Sequence, residues 1–218
     1  MKKINLLLAL FLVATISFAQ NEKYLMAMKE KVIAVDTTFA PDKLMDLSAA
    51  FERIGDAEKT QWLPYYYAAL TKINAAMISA MDGQPSAAKI DPLADKAEEL
   101  INKAEALAKN NSEIYLVKKM IATARLMADP MSRYMQYGPA AQQALETAKK
   151  LNPENPRVYL LEGQDKFYTP EQFGGSKSEA KKLFEEALKK YETFKPATDI
   201  DPSWGKGTAQ YFLNEASK

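Results

Sequence analysis

The sequence predicts an all-α fold, a right-handed α-solenoid of about four helical hairpins with a closing C-terminal helix. Apolar residues recur at three- and four-residue spacing along most of the chain. Beyond residue 19 there is no run of alternating β-branched residues of the kind a strand needs. An Ala-x-x-x-apolar-x-x-Ala pattern also returns, at Ala97-Ile101-Ala104, Ala141-Leu145-Ala148 and Ala180-Phe184-Ala187, 44 and then 39 residues apart. Tyr115 and Tyr159 each follow eleven residues after the last Ala of the first two copies. Self-similarity at such a period marks stacked helical hairpins.

Residues 1–19 read as a secretory signal peptide. Lys2 and Lys3 form the positive start, Leu6 to Ile16 the apolar stretch, and Ser17-Phe18-Ala19 the small-x-small cleavage site. That stretch is far shorter than the ~20 apolar residues a spanning helix requires. With no Cys to carry a lipid, the expected product is a periplasmic or secreted protein with no membrane span after cleavage, folded as one domain over 20–218. A first helix is expected from Tyr24 to about Asp36 and a second from Pro41 to about Ile54, where Leu44, Leu47, Phe51 and Ile54 share a face. A long third runs from about Lys59 to Met81. Asp91-Pro92 opens a fourth, because Pro at the first helical position gives up only a donor that lacks a partner anyway.

Ser112 opens a fifth helix, ending near Asp129-Pro130, and Pro139 to Leu151 forms a sixth. Asn155-Pro156 starts a seventh reaching Tyr168. Ser176 with Glu179 has capping-box spacing for an eighth, to about Phe194, and Asp201-Pro202 starts the last. The stretches Met81 to Ile90, Asp129 to Gly138 and Thr169 to Lys177 then read as lengthened turns within hairpins, all on one edge of the stack.

Composition excludes more than any motif suggests. The chain has neither Cys nor His. Thiol nucleophiles, disulfides, Cys or His zinc sites, haem ligation through His and imidazole-based triads are therefore ruled out together. Lys and Arg number 29 against 28 Asp and Glu, with no long basic run, so no nucleic-acid partner is expected.

The repeat positions resemble those of the tetratricopeptide-repeat family. There, the second helix of each hairpin carries small-x-x-x-aromatic-x-x-Ala, then a Pro, then a large aromatic in the next hairpin. Ala141-Leu145-Ala148-Pro153-Tyr159 meets every term. Ala97-Ile101-Ala104 with Lys109 and Tyr115 departs only at the Pro. Leu47-Phe51-Ile54 with Lys59 and Tyr65 keeps the spacing without the small residues. The family's Leu-Gly pair falls on Lys118-Lys119 and Glu162-Gly163, so only Gly163 agrees, and the period exceeds the family's ~34 residues. The hairpin Thr169-Pro170-Glu171-Gln172-Phe173-Gly174-Gly175 also resembles, more weakly, the periplasmic repeat subunits associated with TRAP-type transporters. The resemblance implies a surface that engages a protein or peptide partner in the cell envelope.

Two clusters stand out as binding candidates. Tyr65, Tyr66 and Tyr67 are consecutive on a helix, about 100° apart each, so one at least is expected to be exposed or to line a groove. Met127, Met131 and Met135, near the second long turn, offer adaptable apolar contacts. Gly174-Gly175-Ser176-Lys177-Ser178 reads as a turn and cap, since the phosphate-loop spacing is absent. Glu98-Glu99 and Glu185-Glu186 read as solvated helix faces. Asp199-x-Asp201 lacks the continuation of a calcium loop. No catalytic, cofactor or metal residue is assigned. The leading expectation is a non-enzymatic scaffold or adaptor; the second is a small-molecule or lipid-binding subunit accompanying an envelope transporter, with a small apolar ligand.

Overall fold

The computed structural model describes residues 22–81 and 86–218. The expected signal peptide and part of the first long turn lie outside the described residues. Among those described there are nine α-helices, one 3-10 turn and no strand. They are α1 (22–35), α2 (Pro41–Glu58), α3 (Trp62–Met81), α4 (Ala87–Leu107), α5 (Ser112–Ala128), α6 (Pro130–Leu151), α7 (Pro156–Tyr168), α8 (Lys177–Thr193) and α9 (Lys206–Ala216). No helix among them is long and apolar enough to cross a membrane.

From α2 onward each helix packs mainly on its neighbours in the chain, while α3 touches α5, α5 touches α7 and α7 touches α9. The odd helices α3 and α5 are buried almost all round. The even helices bury a single stripe: Ala94, Ala97, Ile101 and Ala104 on α4; Ala141, Leu145 and Ala148 on α6; Ala180, Phe184 and Ala187 on α8. The recurring Ala triplets are thus the residues that let outer helices approach inner ones closely. Gly163 serves the same end, since a Cβ there would lie 2.6 Å from the Phe184 ring.

Several expected boundaries move, for identifiable reasons. Asp129 accepts the Ser132 amide at 3.2 Å and starts α6 at Pro130, nine residues before Pro139. The expected turn Asp129 to Gly138 is therefore mostly helix. Similarly, α4 begins at Ala87 and carries Pro92 inside it. Asp201 bonds the amide and hydroxyl of Thr198 instead of capping a helix, and α9 starts after Gly205, whose φ is 101°. The Ser176 cap holds, with its hydroxyl accepting from the Glu179 amide. Glu179 itself pairs with Lys166 rather than completing a capping box.

The segment 194–205, between α8 and α9, runs back as a strap across the inner helices. The Tyr67 hydroxyl donates to the Ile200 carbonyl at 2.9 Å, Lys29 pairs with Asp199 at 2.6 Å, and the Gly205 amide donates to Asp36 at 3.0 Å. These contacts join residues more than a hundred positions apart. In a free-ended repeat stack each unit contacts only its neighbours; here the end of the chain is tied back to its start.

Candidate functional site

Beneath the strap lies a closed polar cluster. The Arg157 guanidinium, fully buried at the start of α7, meets the Glu113 carboxylate from α5 with bonds of 2.6 to 3.0 Å. Asn155 donates to the same carboxylate at 2.6 Å, and the Tyr66 hydroxyl at 3.0 Å. That hydroxyl in turn accepts the Trp204 indole N–H at 2.8 Å. Phe194 and Trp204 lie against the guanidinium, with Cζ 4.6 and 5.6 Å from their ring centroids. Burial opposes the charge on Arg157, yet the adjacent Glu113 carboxylate raises its pKa overall. Burial first, and then Glu113, pushes the Tyr66 phenol well above its ordinary value.

The three consecutive tyrosines belong to this interior, and the expectation that one of them is exposed is corrected. Tyr65, Tyr66 and Tyr67 are 6%, 0% and 1% exposed. Their side chains do point about 100° apart, but α3 is enclosed on every side by α2, α4, α5 and the strap. Their hydroxyls are committed to Asp56, Glu113 and the Ile200 carbonyl. The methionines behave differently. Met131 and Met135 are 94% and 83% exposed on the first turns of α6, and Met127 is half-buried at the end of α5.

An open groove of about 290 Å³ runs between α4, α5 and α6. It exists because Ala122, Ala140 and Ala144 line it where larger side chains would fill it. Tyr115 and Tyr137 contribute rings, and Lys118 and Arg125 contribute cations. Arg125 pairs with Asp95 and Glu98 at 2.7 Å each, and Lys118 with Glu105 at 2.5 Å. Burial opposes the Arg125 charge, but those carboxylates raise its pKa overall. Desolvation, followed by the Glu105 carboxylate, raises Tyr115. Tyr137 sits between two guanidiniums, with Arg125 Cζ at 5.9 Å and Arg133 Cζ at 6.0 Å from its ring centroid. The volume stands at the lower end of the ~300–1,000 Å³ typical of small-molecule sites.

The sequence reading singled out neither Tyr137 nor Arg125. They lie twelve residues apart on two helices, and no motif marks them. Tyr115 was visible only as a repeat position. Met127, Met131 and Met135 do fall on the α5–α6 hairpin that bears the groove, although the groove lining does not include them.

Fold and groove together define an all-helical protein that presents a small cleft lined by tyrosine rings, alanines and ion-paired side chains, Glu98 among them. The structure is similar to that of the HusA haemophore from Porphyromonas gingivalis, with a TM-score of 0.78 and 34% sequence identity, covering 88% of this chain and 92% of that one. At that identity and coverage the chain belongs to the same family as this haemophore. No protein-family model matches the chain, and no curated protein matches it. The tetratricopeptide resemblance, and the weaker one to TRAP-associated subunits, is thereby corrected. The Ala spacing reflects the demands of close helix packing, which unrelated helical families meet in the same way.

Proposed function

We propose that this protein binds haem or a closely related tetrapyrrole in the groove between α4, α5 and α6, as a carrier rather than a catalyst. Its kinship with a haemophore over nearly the whole chain carries the reading. The groove chemistry supports it. Tyr115 and Tyr137 offer faces for a flat aromatic ring, the alanines leave room for a thin ligand, and Lys118 and Arg125 offer charge to carboxylate substituents in exchange for Glu105, Asp95 and Glu98. With no His or Cys in the chain, neither of the commonest protein donors to haem iron is available. Affinity then rests on ring contact and carboxylate pairing, with Tyr137, Tyr115 and the nearby methionines as the remaining iron donors. Met131 and Met135, exposed on α6 beside the groove, extend the apolar contact surface. The expected signal peptide fits a carrier that works outside the cytoplasm.

The test is titration of the purified chain with ferric haem and, separately, with metal-free protoporphyrin, followed by absorbance and by quenching of Trp62 and Trp204 fluorescence. Saturable binding of both ligands is expected. A wild-type chain that saturates with neither overturns the proposal, and binding of haem alone shifts the affinity to iron ligation.

A further inference from the structure

Helix α6 behaves as two pieces. Its buried residues are Ala141, Leu145 and Ala148, all beyond Pro139, and the stretch from Pro130 to Gly138 contributes none. On that stretch Met131, Tyr134 and Met135 are 94%, 61% and 83% exposed. Pro139 has no amide hydrogen, so the Met135 carbonyl lacks its intrahelical donor and the helix is weakened where its packed and unpacked parts meet. Gly138 stands beside it with the Tyr134 ring folded over it, 3.2 Å from where a Cβ would be.

Besides the Asp129 cap at its start and the Tyr137 ring beside Arg125, one ion pair ties the unpacked piece to α4. Arg133 grips Asp91 of α4 through both terminal nitrogens, at 2.7 and 2.8 Å, and donates to the Arg125 carbonyl at 3.2 Å. Tyr137, which lines the groove, rides on the same piece. A segment with no fully buried residue, joined at a weakened helical turn and held by a partly exposed ion pair, opens at low free energy.

From this arrangement we infer that Pro130–Gly138 is a hinged flap beside the groove, pivoting at Gly138-Pro139 and latched by Arg133 on Asp91, and that its opening governs ligand passage. The inference rests on the groove being the ligand site. When the latch releases, Tyr137 moves away with the flap and the cleft between α4 and α6 widens; when it engages, Tyr137 returns between Arg125 and Arg133 and retains the ligand.

The experiment compares the full chain with its Asp91→Asn and Pro139→Ala variants. Amide hydrogen exchange is read by mass spectrometry, and release of protoporphyrin into excess albumin by stopped flow. Asp91→Asn is expected to raise exchange across residues 131–138 and to speed release, each by about three- to tenfold, the range set by a partly exposed charge pair. Pro139→Ala restores the missing backbone bond and is expected to slow both exchange and release. Unchanged exchange in both variants overturns the hinge, and changed exchange with unchanged release overturns the gating. A wild-type chain that binds no porphyrin removes the groove reading alone, and the exchange data then still uphold or overturn the flap.

Discussion

The Arg157 cluster and the Tyr137 groove are assembled from the same kinds of side chain, arginine, tyrosine and carboxylate, and they do opposite things. At Arg157 the strap 194–205 seals the cluster, and Glu113, Asn155, Tyr66 and Trp204 satisfy one another. At Tyr137 the groove is lined by three alanines, and Arg125, although paired with Asp95 and Glu98, borders open space rather than a sealed interior. Chemistry does not separate the two; what lies across from the arginine does. A closed polar cluster raises stability only while it is complete, whereas ion pairs at an open edge stay in contact with solvent and can exchange a carboxylate partner for a ligand.

The largest test of that contrast is Arg157→Met. It strands the buried Glu113 carboxylate and is expected to lower unfolding free energy by about 3–5 kcal/mol in urea denaturation. Replacing both members, Glu113→Leu with Arg157→Met, should recover most of the loss. A single variant losing less than about 1 kcal/mol would show that the cluster is not a stabilising unit. Tyr66→Phe removes one hydroxyl from the same network, leaving the Trp204 indole without an acceptor and Glu113 with one donor fewer, and should cost about 1–3 kcal/mol with no change in porphyrin affinity. A change in affinity at constant stability would break the division between the two regions.

On the groove side, Ala144→Leu should fill the cleft and weaken porphyrin binding about tenfold, close to 1.4 kcal/mol, while the melting temperature stays near that of the parent. A large drop in melting temperature would mean that the groove is packed interior after all. The smallest effect concerns the latch. The Arg133 bond holds the Asp91 carboxyl below its ordinary value despite an opposing contribution from burial. A depressed carboxylate adds stability above its unfolded value of ~3.9, lost as pH falls through the lower folded value. Exchange of the flap amides, corrected for intrinsic rates, should thus stay level from pH 7 to about 5 and rise only below about 4. A rise near neutral pH would exclude Asp91 as the controlling group.

Much of the architecture was legible. The helical class follows from apolar spacing, and the triplets Ala97-Ile101-Ala104 and Ala180-Phe184-Ala187 fall on the buried stripes of α4 and α8, because a stripe is a local property. Boundaries failed where local signals compete. Pro130 and Pro139 are both acceptable helix starts, and the cap at Asp129 decides for the first. The site was less legible. Consecutive tyrosines normally imply exposure, but that rule assumes a helix with one free side, and α3 has none. Arg133 and Asp91, 42 positions apart, meet only when α6 lies beside α4.

By itself the sequence determined an all-α chain, the inner faces of its outer helices, and the absence of imidazole and thiol chemistry, because periodicity, small-residue spacing and composition need no knowledge of distant neighbours. Tertiary structure alone decided which tyrosines are interior, that Trp204 returns to Tyr66 across 138 residues, and that a groove opens between α4 and α6. Each of these depends on which element covers another. Coverage is a long-range property, fixed by the strap in one region and left open by three alanines in the other.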